Sequence, residues 1–250
     1  MAEPRPLLEA RGITRGYGRI QVLQDVDITI GERQAHVVIG PNGAGKSTLF
    51  KSLSGEIFPT AGTVRFDGAD VTRVPAWKRT RLGFGRTFQV ARVFTQMTVR
   101  ENMLVAVESA GRGGGGWALA TPRAREAELD ELLADVGLAA QRDAQAGSLA
   151  YGDRKRLELG MTLALSPKLL LLDEPTAGMS QADRHASVEL VARVTKERGI
   201  ALLLTEHDMD VVFGLATQLT VLHYGRVIAS GDPQAVRADP KVREVYLGHE

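Results

Sequence analysis

The sequence predicts an α/β fold built on a parallel sheet, and three stretches carry that reading. Ala35 to Ile39 reads AHVVI and runs into Gly40-Pro41-Asn42-Gly43-Ala44-Gly45-Lys46-Ser47-Thr48, which fits G-x-x-x-x-G-K-[ST]. Leu169 to Leu172 is four consecutive leucines ending in Asp173-Glu174-Pro175. Ile200 to Leu204 is another apolar run, ending in Thr205-Glu206-His207-Asp208. Short apolar runs of this kind are what strands buried on both faces of a parallel sheet leave in a sequence.

The elements follow in order. Leu7–Ala10 and Val26–Ile30 are β-like, with Gly16-Tyr17-Gly18 as a turn between them. Tyr17 is either an ordinary loop aromatic or a platform for a flat base. After the glycine-rich loop a helix opens, covering Thr48 to Leu53. Gly62 to Gly68 alternates between glycines and reads as a strand. Thr98 followed by Glu101 is a helix capping box. The low-complexity stretch from Gly111 to Gly116 reads as a flexible surface loop. Thr121-Pro122 starts a further helix, with Leu129, Leu132, Leu133 and Val136 at helical spacing and Gly137 closing it. Roughly 90 to 165 is therefore a helix-rich insertion between two α/β portions. Ser180 opens a helix that Gly199 closes. Gln218 to Tyr224 and Arg226 to Ser230 are strands around Tyr224-Gly225, and a short charged tail follows.

Composition bounds the function. The chain has 250 residues, 44% of them hydrophobic and 24% charged, as in an ordinary globular protein. A net charge of +1 argues against nucleic acid as a partner. Without cysteine there is neither a disulfide nor a cysteine-based zinc site. Met1 to Pro6 lacks a signal peptide's apolar core, and no apolar run nears the ~18 residues of a membrane span. The expectation is a cytoplasmic protein.

The chemistry lies in the three strand-end stretches. Glycines 40, 43 and 45 let the backbone fold around a phosphate, so that amide N–H groups and the helix N-terminus face it. Lys46 would reach the β- and γ-phosphates, and the Ser47 hydroxyl would join Mg²⁺. Asp173, at the end of a buried strand, would hold the same ion, and Glu174 would polarise an attacking water. His207 stands at the carboxyl edge of the sheet, where α/β proteins place ligands. Gln89 would offer its amide oxygen to Mg²⁺ or to water. Leu149-Ala150-Tyr151-Gly152-Asp153 begins a helix, either as a second anion site or as a plain cap.

Taken together, Tyr17, the loop at 40–48, Gln89, Leu149–Asp153, Leu169–Glu174, Ala177–Ser180 and His207 resemble, in that order, the nucleotide-binding subunit of an ABC transporter. The resemblance spans essentially the whole chain. It implies a single ABC ATPase domain: a RecA-like P-loop NTPase core at about 1–89 and 166–250, with an N-terminal antiparallel β subdomain. An inserted helical subdomain at 90–165 would carry the family signature. It makes Tyr17 the adenine-stacking aromatic, Gln89 the glutamine facing the membrane partner, Glu174 the catalytic carboxylate and His207 the switch histidine. It makes 149–153 the signature that binds ATP held by an opposite subunit.

Two departures stand out. The signature usually reads L-S-G-G-Q, and Ala150 lacks the hydroxyl that would meet the γ-phosphate. That loss would weaken one half-site and favour a sister subunit with the full motif. Ser180 stands where an aspartate is usual. Arg86-Thr87-Phe88-Gln89, Met97–Asn102, Ala177-Gly178-Met179 and the ending Tyr246-Leu247-Gly248 resemble the larger, LivG-type ATPase of branched-chain amino-acid importers. Urea and amide importers share many of these features. The resemblance implies ATP and Mg²⁺, two transmembrane permease subunits, a second ATPase subunit and, indirectly, a periplasmic binding protein. The chain would sit peripherally on the inner face of the cell membrane. A soluble ABC ATPase acting on ribosomes or DNA is the alternative, disfavoured by the near-neutral charge.

Overall fold

The computed structural model describes residues 5–87, 91–111 and 121–247. Gln89 and the glycine-rich residues 112–116 lie outside them, as do Phe88 and Gly248.

The first sheet is antiparallel. β1 (Leu8–Tyr17) and β2 (Ile20–Ile30) form a hairpin, with Tyr17 opposite Ile20. Tyr17 is thus the last residue of a strand rather than part of a turn, which is Gly18-Arg19. The strands outrun the apolar pattern because register shifts between Ala10 and Gly16 break the alternation. β3 (Ala35–Ile39) then leads into the glycine-rich loop and α1 (Lys46–Ser54), which starts two residues earlier than the sequence suggests. β4 (Ala61–Phe66) and the short β5 (Ala69–Asp70) return to the first sheet, giving the order β2-β1-β4-β5.

After α2 (Ala76–Thr80) comes β6 (Phe84–Arg86), and then the helices α3 (Val99–Gly111), α4 (Pro122–Asp135) and α5 (Tyr151–Leu163). The capping box forms: Thr98 N–H donates to Glu101 at 2.7 Å and Glu101 N–H to the Thr98 hydroxyl at 3.1 Å. Thr121 caps α4, with Pro122 at its first position. β7 (Leu169–Asp173), α6 (Gln181–Arg198), β8 (Ala201–Thr205), α7 (Met209–Leu215), β9 (Gln218–His223) and β10 (Arg226–Gly231) complete the second sheet. The tail is helical. Asp232 and Asp239 cap α8 (Pro233–Ala238) and α9 (Pro240–Val242), and a π-helical turn, Arg243–Leu247, follows.

The second sheet runs β10-β9-β3-β8-β7-β6, parallel except for the β9–β10 hairpin. Its strands divide their side chains between two cores. Leu169, Leu171, Leu203 and Val38 face α1 and the antiparallel sheet, whereas Leu170, Leu172, Leu202, Leu204, Val37 and Ile39 face the helices. A run of leucines is therefore required where each face must be apolar.

Among the described residues one charged side chain, Arg79, is fully buried, and its sequence neighbours give no sign of it. Arg79 of α2 donates through Nε to Val74 O at 2.8 Å, through Nη1 to Leu53 O at 2.5 Å and through Nη2 to Val71 O at 2.5 Å. It ties the last turn of α1 to the segment after β5. Burial pushes its guanidinium pKa down to about 10, against the pull of Asp70.

Candidate active site

The parallel register brings three strand ends together. Thr205 pairs with Val38 on one side and with Asp173 on the other, so the loop after β3, the acids after β7 and the histidine after β8 share one sheet edge.

The glycine-rich loop needs glycine for reasons of space. A Cβ at Gly40 would lie 2.1 Å from the Leu222 carbonyl oxygen, and one at Gly45 would lie 2.9 Å from that of Val22. Gly45, with φ 105°, is the residue that caps α1. The neighbouring strands brace the loop from behind: Gly225 N–H donates to Ala44 O at 2.9 Å, and Gln24 N–H to Gly225 O at 2.8 Å. Lys46 is buried and donates to the carbonyls of Gly40 at 2.6 Å and Pro41 at 3.2 Å. Burial lowers its pKa, and the nearby Glu174 and Asp173 charges oppose that shift. Ser47 is exposed in the first turn of α1.

The acids are held by the end of β8. The Thr205 hydroxyl donates to Asp173 Oδ1 at 2.8 Å and accepts from Glu174 N–H at 3.0 Å. Glu174 has φ 48°, a strained conformation for a residue with a side chain, and its backbone is fixed by that bond. Its carboxylate meets the His207 ring, Oε1 to Nε2, at 2.8 Å. Asp208 caps α7 and binds Arg184 at 2.7 Å, and that bond, with the cap, holds its pKa down. A carboxylate in contact with an imidazole beside a backbone anion cradle can orient water and move a proton.

The 149–153 segment stands apart from this cluster. Ala150 is the N-cap residue of α5 and, as an alanine, gives it no side-chain hydrogen bond. Ala150, Tyr151, Gly152 and Asp153 line a cavity of about 200 Å³ with Gly178, Met179 and Ser180. Ser180 caps α6, accepting from Asp183 N–H at 3.2 Å. Tyr17 is 47% exposed, with the Arg15 guanidinium 5.0 Å from its ring centre. Glu206 and Lys155 are buried as well, a fate that the sequence does not signal. Lys155 lies beside Glu158 on α5, and Glu158 accepts from the Arg92 amide at 3.1 Å. Lys155 stands among four consecutive charged residues, Asp153 to Arg156, and Glu206 just beyond an apolar strand, so neither position marks its side chain for burial.

Comparison with known proteins now bears on this edge. The "ABC transporter" family model matches residues 23–177, which take in the glycine-rich loop and both acids. The chain belongs to the ABC transporter family. Membership makes it an ATP-binding cassette and an ATPase. A second family, the "Branched-chain amino acid ATP-binding cassette transporter", matches residues 226–250. The cassette is 36% identical, over 98% of both chains, to the high-affinity branched-chain amino acid transport ATP-binding protein BraF of Pseudomonas aeruginosa. The figures are the same for LivG of Escherichia coli. It is 34% identical, over 98% of both chains, to the lipopolysaccharide export system ATP-binding protein LptB of Acidithiobacillus ferridurans. Among solved structures it matches an ABC-transporter cassette in its ADP conformation. The TM-score is 0.84 at 30% identity, covering 98% of this chain and 100% of that one. A nucleotide-free cassette matches at 0.83 and 30%, covering 97% of this chain and 99% of that one. Among the described residues no helix is long and apolar enough to cross a membrane.

Proposed function

We propose that this cassette binds and hydrolyses ATP to energise a membrane importer for branched-chain or related amino acids. The C-terminal match at 226–250 to a branched-chain amino acid cassette family, with the identity to BraF and LivG, supports the substrate class. The proposed partners are two permease subunits, a second cassette and, at one remove, a periplasmic binding protein, with the chain docked on the inner face of the membrane. The catalytic core would comprise 1–89 and 166–250, with 90–165 as a helical subdomain.

Lys46 would leave the Gly40 and Pro41 carbonyls for the β- and γ-phosphates as the loop amides close on them. Ser47 and Asp173 offer a hydroxyl and a carboxylate, the hard oxygen donors that suit Mg²⁺ alongside phosphate oxygens. The ion, when bound, neutralises charge on the phosphates. Glu174 would take the proton of the attacking water, with His207 holding its carboxylate in place. Gln89 is proposed as a further contact to ion or water, Tyr17 as the adenine platform, and 149–153 as the site for the sister subunit's ATP.

The 34% identity to LptB favours a second reading, an export ATPase. Affinity capture of the Glu174→Gln protein from detergent-solubilised native membranes, with ATP and Mg²⁺, separates the two. Two polytopic proteins and a second cassette are expected, together with loss of radiolabelled leucine uptake when the gene is deleted. Capture of a lipid-export assembly with leucine uptake intact would favour the second reading. Ribosomes or nothing would sink both.

A further inference from the structure

Glu206 sits between Thr205, which holds the two acids, and His207, which touches one of them. It is 4% exposed, and both carboxylate oxygens are engaged. Oε1 accepts from the Thr176 hydroxyl at 2.5 Å and from the Thr176 amide at 3.3 Å. Oε2 accepts from the His207 amide at 3.1 Å. Thr176 is itself buried, in the turn closed by Ala177 N–H on Glu174 O at 3.1 Å and Met179 N–H on Thr176 O at 3.1 Å. The contacts form a closed circuit. It runs from the Glu174 side chain to the His207 ring, through the His207 backbone to Glu206, across to Thr176 and back along the turn to Glu174.

We infer that Glu206 is a positioning residue for hydrolysis: it fixes the His207 backbone to the turn after Glu174 and so keeps the imidazole on the Glu174 carboxylate. The inference rests on the roles given above to Glu174 and His207. Burying a carboxylate is costly unless its donors are well placed. Here the donors come from the two turns whose spacing sets the Glu174–His207 contact. The Thr176 hydroxyl bond, at 2.5 Å, is short, and the amides of Thr176 and His207 complete the shell at 3.3 and 3.1 Å, so the one side chain bridges both turns. The same turn continues to Gly178, Met179 and Ser180, which wall the cavity beside Ala150, so its position is shared between that cavity and His207.

The test uses the full-length protein and ATP. Glu206→Gln leaves one acceptor oxygen for two sets of donors, and Thr176→Val removes the hydroxyl while leaving the carboxylate. Each is expected to lower kcat roughly tenfold, about the worth of one hydrogen bond to a charged group, with KM for ATP within about twofold. Thr176→Ser restores kcat, and the Glu206→Gln/Thr176→Val double variant falls no further than the worse single one. In nucleotide-free protein, Glu206→Gln moves the His207 ring-proton resonance toward its position in Glu174→Gln. A purely structural role would lower thermal stability but leave that resonance and the kcat of the folded enzyme unmoved. If Glu206→Gln fails to fold, Thr176→Val carries the test. Unchanged kcat and an unmoved His207 signal in Thr176→Val overturn the inference. Undiminished turnover in Glu174→Gln overturns the assignment beneath it.

Discussion

Acid should weaken this fold in large part through His36. His36 lies in β3, 1% exposed, with Nε2 2.8 Å from the Thr220 hydroxyl, which in turn meets the Ser230 hydroxyl at 2.8 Å. Burial pushes its pKa down from 6.5 to about 4, only partly offset by the Thr29 carbonyl. The unfolded chain therefore takes up a proton between these values that the folded chain refuses. The stabilisation is fully present above about pH 6.5 and is lost as the pH falls toward about 4. Linkage puts the loss at about 2.5 kcal/mol between pH 7 and about pH 4.5, a large share of the ~5–15 kcal/mol that holds a domain together. Asp70, Glu101 and Asp208 also have lowered pKa values and add a slope of the same sign, but those carboxylates remain in a His36→Gln variant. Urea unfolding of both proteins at the two pH values isolates the histidine. The stability gap between parent and variant should shrink by about 2.5 kcal/mol on acidification. A variant that loses stability as steeply as the parent would show that His36 is not the group responsible.

Three other perturbations have firm expectations. Arg79→Met should cost about 3–5 kcal/mol in urea unfolding, because it strands buried carbonyls at the end of α1 and after β5; a loss under about 1 kcal/mol would mean that relief of the buried charge compensates. Gly40→Ala should weaken binding of a fluorescent ATP analogue at least roughly tenfold, since its Cβ would collide with the Leu222 carbonyl and move the loop. Lys46→Ala should lose ATP binding, whereas Glu174→Gln should keep it and lose hydrolysis, as read by equilibrium binding beside phosphate release.

The sequence by itself determined the elements whose signals are local. The glycines of the loop at 40–45, a capping box at Thr98 and Glu101, the Thr121 and Ser180 caps and the leucine runs each depend on neighbours a few residues away. They located the parallel sheet, the glycine-rich loop and the acids at the end of β7. Tyr17 ends a strand instead of sitting in a turn because bulges in β1 erase the two-residue period, and the helices of the tail are too short to leave a periodic signal. What the tertiary structure alone decided is which distant polar groups meet. The register that sets Asp173 beside Thr205 holds both acids, and residues 30 apart in the chain, Thr176 and Glu206, close on each other. Arg79 finds its carbonyls across α1. Such pairings depend on strand order and on burial, which no window of sequence contains, because the cost of burying a charge is met only by partners brought in from elsewhere in the fold.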